Sequence, residues 1–100
     1  MSTLKVLLHA PTPDALTRAR SNAKNLLAAR PDAVIEIIVN AQGAKAAVQA
    51  PDEASTSITR VCANSLAKQG LEPPAAMQVI EAAVVYLAER QAEGWAYIRC

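Results

Sequence analysis

Val34-Ile35-Glu36-Ile37-Ile38-Val39 is the stretch on which the fold turns. Five of its six residues are β-branched, and its hydrophobicity is nearly continuous, broken once by Glu36. A strand with one wet face alternates apolar and polar side chains. A run that barely alternates fits a parallel strand covered on both faces. Asn40 ends it. Upstream, Thr3-Leu4-Lys5-Val6-Leu7-Leu8-His9 is a second aliphatic run, closed by Ala10-Pro11, and reads as a buried strand. Between the two, Thr12-Pro13-Asp14 gives a helix start: a hydroxyl cap, a proline in the first turn and an acid at the positive dipole end. Leu16, Ala19, Ala23, Leu26 and Leu27 recur at helical spacing, and Arg30-Pro31-Asp32 stops the helix.

Downstream, residues 42–50 form an Ala-rich, short helix ended by Pro51. Residues 56–62 hold Thr56, Ile58, Thr59 and Val61 and predict a third strand. Ala63-Asn64-Ser65 starts another helix, which runs to Lys68 or Gln69 and stops at Gly70. Pro73-Pro74 marks a loop. Residues 77–80 read as a fourth strand, 82–92 as a helix and 96–99 as a last strand. This alternation predicts a single α/β domain over residues 1–100, with a mainly parallel sheet and helices on both faces.

Composition bounds the function. The chain has 100 residues, of which 22 are Ala and 23 are Val, Ile or Leu, and it has no Phe. Its three aromatic residues, Tyr86, Trp95 and Tyr97, fall near the end, where they suit a surface that packs against another subunit. No apolar run approaches the roughly 18 residues of a membrane span, and Val6-Leu7-Leu8 is too short for a signal-peptide core. A formal charge of +1 leaves no electrostatic footprint for nucleic acid or an acidic membrane. Three glycines exclude a Walker A loop and a dinucleotide fingerprint, and two cysteines lack zinc or Cys-x-x-Cys spacing. The expectation is a cytoplasmic protein with no metal and no cofactor.

Sites in open α/β sheets form beyond the carboxyl ends of the strands. The residues closing the expected strands are His9, Asn40, Cys62, Glu81 and Arg99-Cys100. Cys62 stands where a strand gives way to a helix, so backbone N–H groups and the helix dipole can stabilise a thiolate. A small buried hydrophobe is the other reading of the same residue. His9, the single histidine, either packs and hydrogen-bonds or pairs with Cys62. Asn40 bonds either the loop backbone or a ligand. Cys100 is an accidental exposed thiol or an accessory one beside Cys62.

Cys62-Ala63-Asn64-Ser65-Leu66, followed by Gly70-Leu71, resembles the Cys-x-Asn-[Ser/Thr]-Leu segment of the DsrE/DsrF-like small proteins. Gln91-Ala92-Glu93-Gly94-Trp95-Ala96-Tyr97-Ile98-Arg99 is similar to the tail of one uncharacterised branch of that family, and Leu4-Lys5-Val6-Leu7-Leu8-His9 fits its opening. Cys100 stands where that branch often has Pro. The resemblance implies a three-layer α/β/α sandwich with a five-stranded parallel sheet, assembled as trimers or hexamers. It also implies a sulfur carrier in which Cys62 holds a persulfide between donor and acceptor proteins. In such a mechanism Ser65 and the helix start supply N–H groups and dipole, and Asn64 or His9 orients the reacting groups. The alternative is a non-catalytic oligomeric binding or assembly module with a pocket at the subunit interface, in which Cys62 merely packs.

Overall fold

A computed structural model describes residues 3–100. The element order is β1 (Lys5–Ala10), α1 (Pro13–Ala29), β2 (Val34–Val39), α2 (Ala41–Gln49), α3 (Glu53–Thr56), β3 (Thr59–Cys62), α4 (Ala63–Gln69), β4 (Gln78–Ile80), α5 (Ala83–Ala92) and β5 (Ala96–Arg99). The five strands form one sheet in the order β4-β3-β2-β1-β5, and every pair is parallel. The run at 34–39 is therefore an inner strand, set in register by Lys5↔Val34 through Ala10↔Val39 on one side and by Ile37↔Thr59 on the other. The chain is a three-layer α/β/α sandwich.

Strand order dictates how the helices divide. From β1 the chain steps to β2, β3 and β4 in one direction, then returns past all of them to pair β5 with β1. Right-handed crossovers put helices of opposite travel on opposite faces. Accordingly Leu16, Ala19 and Ala23 of α1, Ala44 and Ala47 of α2 and Leu66 of α4 pack on Val6, Leu8, Ala10, Ile35, Ile37, Val39 and Val61. The opposite face meets α5: Ala83 and Leu87 pack on Leu7, Ile38, Cys62 and Ile80, with Tyr86 and Trp95 at the margin. Alternation along each strand places Leu7, His9, Glu36, Ile38, Arg60 and Cys62 on this second face. Nearly all the polar strand residues therefore share the thinly covered side.

Local chemistry fixes the ends. The Thr12 hydroxyl accepts from the Ala15 N–H at 3.0 Å, and Pro13 opens α1, as the sequence predicts. Residues 56–62 do not form one strand. Asp52 accepts from the Ala54 N–H and the Ser55 hydroxyl, and the Thr56 hydroxyl donates to the Asp52 carbonyl at 2.8 Å. These short-range bonds wind 53–56 into α3 against the β propensity of Thr56. The strand begins at Thr59. Smaller shifts of one or two residues appear at the starts of β1, α2, β4 and α5.

Gly43 lets α2 lie against the end of β1. Its N–H donates to the Pro11 carbonyl at 3.1 Å, and a Cβ there would overlap the Ala10 carbonyl oxygen. Gly70, at φ 62°, closes α4 in the left-handed region with open space around it. Gly43→Ala will therefore lower stability by about 3 kcal/mol, the upper range for overpacking. Gly70→Ala will cost about 1 kcal/mol, the conformational strain alone. Urea unfolding of both variants checks this ranking; an equal or smaller loss at Gly43 contradicts it.

Candidate functional site

Because all strands run the same way, His9, Asn40 and Cys62 reach one edge of the sheet, on the face covered by α5. Cys100 does not join them. It packs with the cluster under α1, where the Asn22 amide donates to its sulfur at 3.6 Å and Arg18 Nε donates to its carbonyl at 2.8 Å. The strand order sets β3 three strands from β5, about 14 Å at ordinary strand spacing. Cys62 and Cys100 are too far apart within one chain for a disulfide, so Cys100 is no resolving partner there.

Cys62 lies at the point where the topology reverses. The helix after β3 covers one face and the helix after β4 covers the other, the arrangement in which open α/β sheets commonly place a site. The thiol is 5% exposed, against Leu7, Ile38, Ile80, Ala83 and Leu87. Burial pushes its pKa up. The backbone N–H groups of Ser65, Ala83 and Asn64 and the Ser65 hydroxyl outweigh that and hold it below the ordinary thiol value. Those groups come from the starts of two helices, α4 and α5. Ser65 has a second duty: its oxygen accepts from the Ala41 N–H at 2.8 Å, while Gln69 Nε2 donates to the Ala41 carbonyl at 2.9 Å. Ala41 sits at φ 49°, a left-handed conformation that these bonds help to hold.

His9 does not pair with Cys62. Its Nε2 meets Asn40 Oδ1 at 2.9 Å and its Nδ1 meets the Tyr97 hydroxyl at 2.6 Å. Asn40 precedes α2, yet its side chain makes no cap bond and turns to the histidine instead. Tyr97, expected only to pack, completes the group. Its position follows from the register Leu7↔Tyr97, which puts it on the face of Leu7 and His9. Strand pairing supplies that signal. Beside the three residues a cavity of about 420 Å³ opens, walled by Val84, Leu87, Ala88 and Gln91 of α5. Leu87 thus touches both the cavity and the cluster around Cys62.

Glu36, 8% exposed, anchors a separate charged group toward the start of the same face. It accepts from the Tyr86 hydroxyl and pairs with Arg60 at 3.2 Å and Arg90 at 3.9 Å. Burial and then the Glu36 carboxylate raise the Tyr86 pKa, so Tyr86 stays a neutral donor. Arg90 also stacks over the Tyr86 and Trp95 rings at 4.5 and 5.8 Å. This cluster ties α5 to the sheet. Among the described residues no three His, Cys, Asp or Glu side chains converge as a metal-ligand group, and no helix is long and apolar enough to cross a membrane.

The groups around Cys62 make its titration a direct check of the geometry. With Cys100 replaced by Ser, thiolate absorbance at 240 nm will appear below the ordinary thiol range. Ser65→Ala removes a hydroxyl that favours the thiolate and will move the transition upward. A transition that stays in place in Ser65→Ala removes the serine from the account.

No family model matches the chain, and no curated protein is similar to it. Its fold is similar to that of a solved structure of a protein of unknown function, MTH1491, from Methanobacterium thermoautotrophicum. The TM-score is 0.81 at 24% identity, covering 97% of this chain and 99% of that one. The similarity establishes the α/β fold.

Proposed function

We propose that the chain is a DsrE/DsrF-like cytoplasmic sulfur carrier acting through Cys62. The observation that carries the reading is the thiol itself. It sits at the end of β3 beside β4, with N–H groups from two helix starts and the Ser65 hydroxyl favouring its charged form. A thiolate is the species that attacks sulfur. The Cys62 thiolate attacks the outer sulfur of a donor persulfide; the donor S–S bond breaks, its electron pair leaves on the donor thiolate, and a Cys62 persulfide forms. An acceptor thiolate then attacks the outer sulfur of that persulfide and restores the Cys62 thiolate. Sulfur moves with no net redox change and no cofactor. Ser65 and Asn64 serve through the groups they offer the sulfur, and His9 has its own partners.

The second reading is a non-catalytic binding module, favoured by the 5% exposure of Cys62 and by a cavity lined without it. The two readings part in one experiment. Incubated with a small-molecule persulfide, the carrier gains one sulfur atom by intact mass, and Cys62→Ser abolishes the gain while Cys100→Ser keeps it. A wild-type protein that stays unmodified, or that gains sulfur only at Cys100, overturns the carrier reading. Thiol labelling that reaches Cys62 only after unfolding points to the binding module.

Both readings include assembly into a trimer or hexamer. Val84 is 75% exposed and Val85 50%, on the one helix that covers the second face, and Tyr97 and Ile98 are exposed on the edge strand β5. Exposed apolar side chains on α5 and on the edge strand suit a contact surface. Light scattering will give a mass of three or six chains, and Val84→Glu will shift it toward the monomer. A monomeric wild-type protein contradicts the assembly.

A further inference from the structure

The cavity beside His9 has a chemistry that can be read from its unused hydrogen-bonding capacity. No Asp, Glu, Lys or Arg lines it; its walls are Val84, Leu87 and Ala88 with the Tyr97 ring, and its polar atoms belong to His9, Asn40, Gln91 and Tyr97. At about 420 Å³ it falls in the size range of small-molecule pockets. Asn40 Oδ1 can only accept, so the His9 Nε2 that faces it carries the ring proton and donates. In the neutral ring Nδ1 is then a lone pair, and the Tyr97 hydroxyl donates to it. Both imidazole nitrogens are engaged. Gln91 Nε2 gives one hydrogen to the Leu87 carbonyl of its own helix. Its second hydrogen and the Asn40 Nδ2 group can donate to an alcohol oxygen and a ketone oxygen alike, so they do not separate the two. The Tyr97 O–H is committed to the histidine, so toward the cavity its oxygen offers lone pairs alone.

We propose that this cavity binds a small, uncharged, largely apolar molecule through a hydroxyl group that donates to Tyr97. The Asn40–His9–Tyr97 relay sets the direction: with its proton committed to His9, Tyr97 accepts from an alcohol but has nothing to give a ketone of the same shape. A carboxylate or an ammonium would enter apolar walls with no countercharge, which disfavours both. The site is independent of Cys62, which does not line it.

Four probes of one shape test the assignment by amide chemical-shift titration of the assembled protein: cyclohexanol, cyclohexanone, cyclohexanecarboxylate and cyclohexylammonium. Cyclohexanol will shift the amides of His9, Leu87 and Tyr97 saturably and will bind about three- to tenfold more tightly than cyclohexanone, the range of one net hydrogen bond. Both charged probes will bind more weakly than the alcohol. Tyr97→Phe will erase the preference for alcohol over ketone. His9→Ala frees the Tyr97 proton and will move the preference toward the ketone. The proposal is overturned if the ketone matches the alcohol on the wild-type protein, if a charged probe binds best, or if the shifts fall elsewhere or do not saturate.

Discussion

A parallel sheet whose crossovers are all right-handed cannot distribute its helices at will. Here the chain takes three steps in one direction and one long step back, so α1, α2 and α4 crowd one face and α5 alone spans the other. From this single constraint come both the buried core and the site. The crowded face is filled by aliphatics and by alanines small enough to let helices lie close, as at Ala15, Ala19, Ala44 and Ala47, each fully buried. The thin face keeps the side chains a core does not want: an imidazole, a carboxamide, a phenol, a thiol and a buried carboxylate with its two arginines.

Much of this was legible along the chain. The non-alternating run at 34–39 announced a strand covered twice, and Thr12-Pro13 announced the start of α1, because both signals are local and strong. His9, Asn40 and Cys62 were legible as candidates because a parallel sheet gathers its strand ends. Strand order was not legible, and it decides who meets whom. Only the pairing of β5 with β1 brings Tyr97 to His9, and only the reversal of direction after β4 brings the Ala83 N–H to Cys62. The register of β5 on β1 sends Cys100 to the opposite face from Cys62. The helix at 53–56 escaped for the contrary reason: its cause is a few short bonds from Asp52, weaker than any periodicity a sequence displays.

The two parts of the sheet edge are chemically unlike but physically joined. Ser65 contributes to the surroundings of the Cys62 sulfur and holds the Ala41 N–H, and Asn40, one residue earlier, holds His9. Leu87 belongs both to the cluster around the thiol and to the cavity wall. Ala41, at a left-handed φ of 49°, links them through its bond to Ser65 and its place beside Asn40.

The partnership of His9 with Tyr97 spans 88 positions of sequence. During synthesis the N-terminal part of a domain emerges first, and here it can already pair β1 with β2 and bury the core under α1 and α2. The cavity has no such head start. Its floor includes His9 in the first tenth of the chain and its far wall lies in the last fifth, so a nascent chain lacks it until β5 seats against the open side of β1. Until then β1 is an exposed edge, with unpaired backbone groups that invite another strand. The strand that supplies Tyr97 thus also covers the six-residue edge of β1 and leaves the shorter, four-residue β5 as the edge in its place.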